Sequence, residues 1–315
     1  MSGTATMVSR VEAYLAARRG LGFQLRIEGG ELLRFARYAD TSGHRGPVTV
    51  ELALRWAQAA KSSTRLYRAR RIETVRCFAR HQVLSEPATE IPPARILGPA
   101  HRRTQPHIYS QAQIMRLLVL AGRLHSRRGL RARTYVTILS LLACSGLRIS
   151  EALRLRLEDV DLQEGVLTIR ETKFHKSRLV PLHPSARIAL QSYVARRGRI
   201  HPPSPGATLF ISEAGSKIAY TSVRTVFRNL VDEAGVGVPG RRRPRLQDLR
   251  HTFACECLLR WCRERIDVHK RIAALSTYLG HAKVSDTYWY LTGVPELMAI
   301  TGSRFERFAH ERRPQ

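Results

Sequence analysis

No stretch of this sequence approaches the roughly 20 consecutive apolar residues that a bilayer-spanning helix requires. The longest candidate, YVTILSLLACSGL at 135–147, is shorter and reads as a buried helix. Cysteine is sparse too. The five thiols, Cys77, Cys144, Cys255, Cys257 and Cys262, are odd in number and irregularly spaced, and no secretory apolar segment opens the chain. That argues against a disulfide framework and for a reducing, cytoplasmic compartment. Cys255 and Cys262 lie seven apart on one helix face while Cys257 points elsewhere, so with His251 they read as buried thiols and not as a metal site.

Acidic residues are the largest shortage. Only 25 Asp and Glu face 53 Lys and Arg, a formal net charge of +28. Self-repulsion of that size is tolerated when a polyanion neutralises it, and nucleic acid is the usual one. A membrane surface fits less well, because the basic residues are spread along the chain instead of gathered on one amphipathic helix. Lysine is scarce within the basic set, six against 47 arginines. What is present suffices for packed domains: 43% of the 315 residues are hydrophobic, and the length suggests two domains.

Residues 7–84 read as four helices: VSRVEAYLAARRGLGF, GGELLRFARYAD, TVELALRWAQAA with Thr49 as N-cap, and the densely basic STRLYRARRIETVRCFARHQV. Between 85 and 107 five prolines (Pro87, Pro92, Pro93, Pro99 and Pro106) remove all periodicity, so the stretch reads as an extended interdomain linker. The expected division is a helical domain at 1–86, a linker at 87–107 and a second domain at 108–315.

In that second part QAQIMRLLVLAGRL and RARTYVTILSLLACSG read as helices, the latter stopping at Gly146, and RISEALRLRLEDVD begins a further element. GVLTIRETKFHKSRLVPLH changes period from helical to alternating and predicts a hairpin with Lys173 and Lys176 at its tip. SARIALQSYVARRGR and SVRTVFRNLVDEAG read as helices, and TLFISEAG as a short extended segment. DLRHTFACECLLRWCRE, HKRIAALSTYLG and the closing VPELMAITGSRFERFAH read as helices too. The fold class expected is mainly α with a small β-hairpin.

Five stretches stand out together. They are CSGLRISEAL around Arg148, TKFHKSRLVPL around Lys173, PRLQDLRHTFA around Arg250, YLGHAKVSDT around His281, and the pair Tyr288 and Tyr290. Arg148 and Arg250 each interrupt an apolar run at a helix start, where unpaired backbone N–H groups favour anions. A guanidinium fork matches two oxygens of a phosphate and never deprotonates. In their order and contexts these stretches resemble the tyrosine recombinases, the phage-integrase type of site-specific DNA recombinase, from about residue 110 to 292.

The resemblance implies a C-shaped clamp of two domains, a helical core-binding domain of SAM-like type and a catalytic domain ending in a helix. It implies that Arg148, Arg250 and His281 bind the scissile phosphate and that Lys173 protonates the leaving 5′ oxygen. Glu151, three residues after Arg148 and on the adjacent helix turn, is placed to hold that arginine or a neighbouring group, or else is an ordinary helix glutamate. The family's nucleophile follows this histidine by nine residues, which selects Tyr290 over Tyr288 and Tyr278.

One position departs from the pattern. Three residues before Arg250 the family has histidine; here it is Gln247, which can donate to a phosphate oxygen but cannot accept a proton as imidazole can. Cleavage is therefore expected to be reduced but present, and Gln247→His to raise it. His251 is adjacent, but one residue of shift turns it about 100° around the helix, so it is not expected to substitute.

For DNA contact the basic helix supplies Arg65, Arg68, Arg71 and Arg76. The loop at 241–245 supplies Arg241, Arg242, Arg243 and Arg245, and Lys176 joins them from the hairpin tip. The resemblance implies strand exchange on double-stranded DNA by a homo-oligomer, four protomers in a synapse, with or without sister recombinases. It implies no metal, cofactor or membrane, a nucleoid-associated bacterial location, and the integration or excision of a mobile element. The segment after Tyr290 is expected to dock into a neighbouring protomer. Two other readings share these residues: a type IB topoisomerase-like nicking enzyme, and a catalytically weak or silent DNA-binding relative.

Overall fold

The computed structural model describes residues 6–60, 64–100, 105–170, 177–237, 240 and 242–293. The chain divides into two compact units, Met1–Thr104 and Gln105–Gln315. Among the described residues no helix is long and apolar enough to cross a membrane.

The first unit is helical: α1 (Met7–Gly20), α2 (Arg26–Thr41), α3 (Val50–Gln58) and α4 (Arg65–Gln82). Threonines start three of them. The hydroxyls of Thr6, Thr49 and Thr64 accept from the amides of Ser9, Leu52 and Tyr67, so each satisfies one of the four unpaired N–H groups of a helix start. Val11, Leu32, Phe35, Leu52, Trp56 and Phe78 close the core at 0–2% exposure. Full burial of side chains of this size contributes about 1.5–3 kcal/mol each.

The proline-rich stretch stays with this unit. Glu90 accepts from Val50 N at 2.7 Å and donates its own amide to Val48 O at 2.8 Å, while the side chains of Arg65, Arg70 and Arg76 donate to the carbonyls of Leu97, Ala100 and Pro92. Prolines cannot donate, but the carbonyls around them still need partners, and arginine supplies them.

The second unit begins with α5 (Gln111–Gly122) and α6 (Leu130–Ser145). α6 is the central helix, in contact with α5, α7 (Ile149–Ala152), α8 (Pro184–Ile200) and α10 (Leu246–Arg263). A three-stranded antiparallel sheet, β1 (Val160–Asp161), β2 (Val166–Ile169) and β3 (Arg178–Pro181), pairs in that order. The hairpin falls where the alternation predicted it, with Leu167 opposite Val180 and both buried. α9 (Tyr220–Glu233), α11 (Val268–Leu279) and α12 (Ser285–Gly293) complete the unit.

Two departures from the expected elements bear on the site. RISEALRLRLEDVD is not one element: α7 lasts four residues, a 3-10 turn follows at Leu157–Asp159, and β1 begins at Val160. Tertiary pairing breaks it, since Leu155 O accepts from Leu209 N at 2.7 Å and Leu157 N donates to Ala207 O at 3.0 Å. The second departure is α12, which carries Tyr290 and was not predicted as a helix. The closing segment 294–315, expected to be helical and to dock on a neighbour, lies outside the described residues, as do Lys173, Lys176 and Arg241.

Candidate active site

Two helix ends build the site. α6 stops at Gly146 with φ +61°, and α11 stops at Gly280 with φ +67°, both in the left-handed region. A Cβ at Gly146 would lie 2.5 Å from the Phe253 ring, so no larger residue fits there, and at Gly280 the left-handed φ itself favours glycine. A helix end also leaves carbonyls without partners. Here arginines take them. Arg250 Nη1 donates to Gly146 O at 2.8 Å and Nη2 to Leu279 O at 2.6 Å; Arg148 Nη2 donates to Gly280 O at 3.0 Å. The two guanidiniums are thus drawn together by adjacent carbonyls at the negative end of α11. The sequence placed both arginines beside unpaired amides. Their backbones do sit at or near helix starts, but their long side chains reach carbonyls instead.

Glu151 locks the arrangement. Its carboxylate accepts from the Arg148 amide at 3.0 Å and from Arg148 Nη1 at 2.8 Å, and it takes both Nη groups of Arg178 at 3.1 and 2.9 Å. Arg178 Nε in turn donates to Tyr278 O at 2.8 Å. Burial pushes the Glu151 carboxyl up, but the Arg178 hydrogen bonds and charge, with Arg148, outweigh it and hold it at about 2. Arg178 was missed by the sequence reading: nothing in a strand-edge arginine announces a partner 27 residues away.

Tyr290 projects from α12 against α10 and is 3% exposed. Its Oη lies 3.1 Å from His251 Nδ1. Burial raises its pKa, and the Arg250 guanidinium, which is next to it, pulls the other way. The other tyrosines are placed differently. Tyr278 stacks on Phe253, and Tyr288 is surface-exposed with its hydroxyl 3.2 Å from His269 Nδ1. His281 stacks over the Tyr290 ring at 6.2 Å, and its Nδ1 meets the hydroxyl of fully buried Thr287 at 2.7 Å. With Thr287 as donor, Nε2 carries the proton and is able to donate to an anion.

The remaining candidates separate. Gln247 is half-buried on the first turn of α10. Arg245 is paired with Asp248 at 2.9 Å in a capping box, and Arg243 with Asp232. Arg242 is exposed. In the first unit Arg68 is half-buried, and Arg65 and Arg76 serve the proline-rich stretch. Arg71 departs from the expectation. It was expected on a DNA backbone but is 8% exposed, with its guanidinium 3.7 Å over the Trp56 ring, so it belongs to the core of that unit.

Electrostatics divide the site by charge. Burial, then the Arg148 charge, lowers Arg250 to about 10, so it stays a cation at neutral pH. Burial followed by Arg250 and Arg148 lowers His281 to about 4, and burial lowers His251 to about 4 against the pull of Asp248. Both imidazoles are therefore neutral in the folded protein. Unfolded, they bind protons near 6.5. As pH falls through 6.5 towards 4 the unfolded chain takes up more protons, so stability drops across that window. Glu151 extends the loss from 4.5 down to about 2, since its folded value lies below its unfolded one. Thermal melting followed from pH 7 to 4 should show a falling Tm; a flat curve would contradict neutral burial of the two imidazoles.

A family model described as the phage integrase family matches residues 110–294. The chain belongs to this family, the tyrosine recombinases. Over 310 residues the recombinase is 42% identical to a putative integrase/recombinase, y4rB, of Sinorhizobium fredii, covering 96% of this chain and 98% of that protein. It is 28% identical to the tyrosine recombinase XerC of Thermodesulfovibrio yellowstonii, across 84% of each. Among solved structures, the Tn1549 transposon integrase in complex with transposon right end DNA aligns with a TM-score of 0.70 at 16% identity, over 96% of this chain and 99% of that one. XerH recombinase bound to palindromic difH substrate aligns at 0.67 and 16%, over 95% and 85%. At those identities the likeness is one of fold. The five stretches that stood out in the sequence fall inside the matched region.

Proposed function

We propose that this recombinase cuts and rejoins double-stranded DNA at specific sites, with Tyr290 as nucleophile. The observation that carries the reading is the meeting of a buried phenol from α12 with the arginine pair gathered on the end of α11. Tyr290 attacks a phosphate, forms a 3′-phosphotyrosyl bond and releases a 5′ hydroxyl. The pentacoordinate transition state gathers negative charge on its non-bridging oxygens, and preorganised donors aimed at them lower the barrier. Arg148 and Arg250 supply those donors, each retaining N–H groups beyond the ones used for backbone carbonyls. His281 donates through Nε2, and Gln247 helps to seat the phosphate. By family resemblance Lys173 protonates the 5′ oxygen. The phosphotyrosyl bond conserves the phosphodiester's energy, so religation to a partner strand proceeds without ATP.

Exchange between two sites requires several protomers, and we read the active assembly as four on two duplexes, acting for a mobile element. The transposon integrase whose fold it shares supports that role by analogy. The test is capture of protein-linked DNA. Fragments of host and element DNA are incubated with the protein, stopped with detergent, recovered by their attached protein and sequenced. A recovered sequence is then placed in plasmids once or twice. Deletion or inversion only with two copies is expected. Relaxation of single-copy plasmids with no exchange would favour a topoisomerase-like enzyme.

Binding is expected to be strongly salt-dependent, because each neutralised phosphate contributes a log–log slope of about −0.9. With 6–10 phosphates contacted, affinity should fall about 10³–10⁵-fold between about 50 and 200 mM salt. Gel-shift titrations across that range read the slope directly, and a flat response would contradict binding through the arginines.

A further inference from the structure

We propose that His251 accepts the Tyr290 proton during strand cleavage and returns it during rejoining. This rests on the reading of Tyr290 as nucleophile. The family resemblance places a histidine at position 247; this chain has Gln247 there and His251 on the next turn. A neutral phenol needs somewhere to send its proton as its oxygen bonds to phosphorus, since an oxygen carrying both would be strongly acidic.

The groups around the hydroxyl narrow the choice. Arg250 and Arg148 are donors only. His281 spends Nδ1 on Thr287. An amide at 247 is not basic. His251 Nδ1 is within hydrogen-bond distance of Oη at 3.1 Å, and its ring is backed edge-on by Trp289 at 5.9 Å. Tyr290 can donate to Nδ1 when the imidazole's own proton sits on Nε2, the tautomer suited to a base.

The surroundings keep it ready. Burial, with the charges of Arg245 and Arg250, holds the imidazole neutral, and Asp248 is the one opposing acid. A DNA phosphate seated on Arg148 and Arg250 offsets part of that positive field, so the imidazole becomes more basic when substrate is present. The step balances. The Oη–H bond breaks and its proton moves to Nδ1; the Oη–P bond forms; the P–O5′ bond breaks and O5′ takes a proton from the general acid. In rejoining, the 5′ hydroxyl attacks, the P–Oη bond breaks, and Nδ1 returns its proton to Oη. His251 stands four residues from position 247, only about 40° around the helix, and Tyr290 comes from α12, which packs on the flank of α10 that His251 faces.

The test is single-turnover formation of the covalent adduct on a nicked suicide duplex carrying a captured site. His251→Asn keeps an acceptor oxygen near the place of Nδ1 but cannot hold a proton. It should cleave about 10²–10⁴-fold more slowly, the usual span for a general base, while melting and binding DNA like the wild type. Added imidazole should speed His251→Ala, and Gln247→His should restore activity in the His251→Asn background. The acid limb of the wild-type pH–rate profile should vanish in His251→Asn. Cleavage by His251→Asn within about twofold of wild type, or a slow His251→Ala that imidazole does not accelerate and whose pH profile keeps its shape, would overturn the assignment and leave Tyr290 as nucleophile untouched. Absence of any Tyr290-dependent adduct with wild type would overturn both.

Discussion

Tyr290→Phe is expected to bind DNA as the wild type does and to form no covalent adduct at all. The change removes one oxygen from a ring that is 3% exposed and otherwise packed among Leu258, Leu279 and Cys255. The ring stays, so α12 stays. The loss is one hydrogen bond to His251, a net contribution of about 1 kcal/mol, which amounts to a small shift in Tm. Arg148, Arg250 and His281 are unchanged, and affinity for the site should be equal within error. Cleavage has no second route. Tyr288 directs its hydroxyl to His269, and Tyr278 is stacked on Phe253 with its pKa driven up by burial. Tyr288→Phe is the matched control and should recombine normally. An adduct that survives Tyr290→Phe would remove the central assignment. Binding without adduct in the wild type as well would identify a silent DNA-binding relative.

The second large effect is expected from Glu151→Ala. Its carboxylate side chain is 5% exposed and pairs with Arg148 and Arg178, which are 31% and 10% exposed. Removing one member of a buried network leaves the others charged and unpaired, a cost of about 3–5 kcal/mol. For a domain of this size that is a Tm lowered by about 10 °C. An exposed pair gives the contrast: Glu158→Ala breaks only a contact with Arg156, both half in water, and should cost at most about 1 kcal/mol. Function should shift in two directions. Arg148 loses the anchor that sets its guanidinium beside Arg250, so adduct formation slows. Deleting a negative charge among arginines also strengthens non-specific attraction to DNA. Slower cleavage with equal or tighter binding is therefore expected. Unchanged melting and unchanged cleavage would mean that the carboxylate holds nothing.

The helical periods, the threonine cap at Thr49, the switch to alternation at 166–169 and the stop at Gly146 were all legible, because each depends on residues a few positions apart. The short life of α7 was not legible, since pairing of 155–157 with 207–209 ends it. Nor was the fate of Arg71: a basic helix face looks uniform in sequence, and only the arrival of Trp56 from α3 turns one of its arginines inward.

The sequence alone determined the polyanion-seeking charge and the helical units with one hairpin. Tertiary structure decided who touches whom. It gathered Arg148 and Arg250 on the last carbonyls of α11, gave Glu151 a second arginine, and brought the Tyr290 hydroxyl to 3.1 Å from His251 Nδ1. The reason is physical. Propensity and amphipathic pattern act over one or two turns, whereas these contacts join residues 27 to 132 positions apart, and their pairing is set by how helix ends and faces pack.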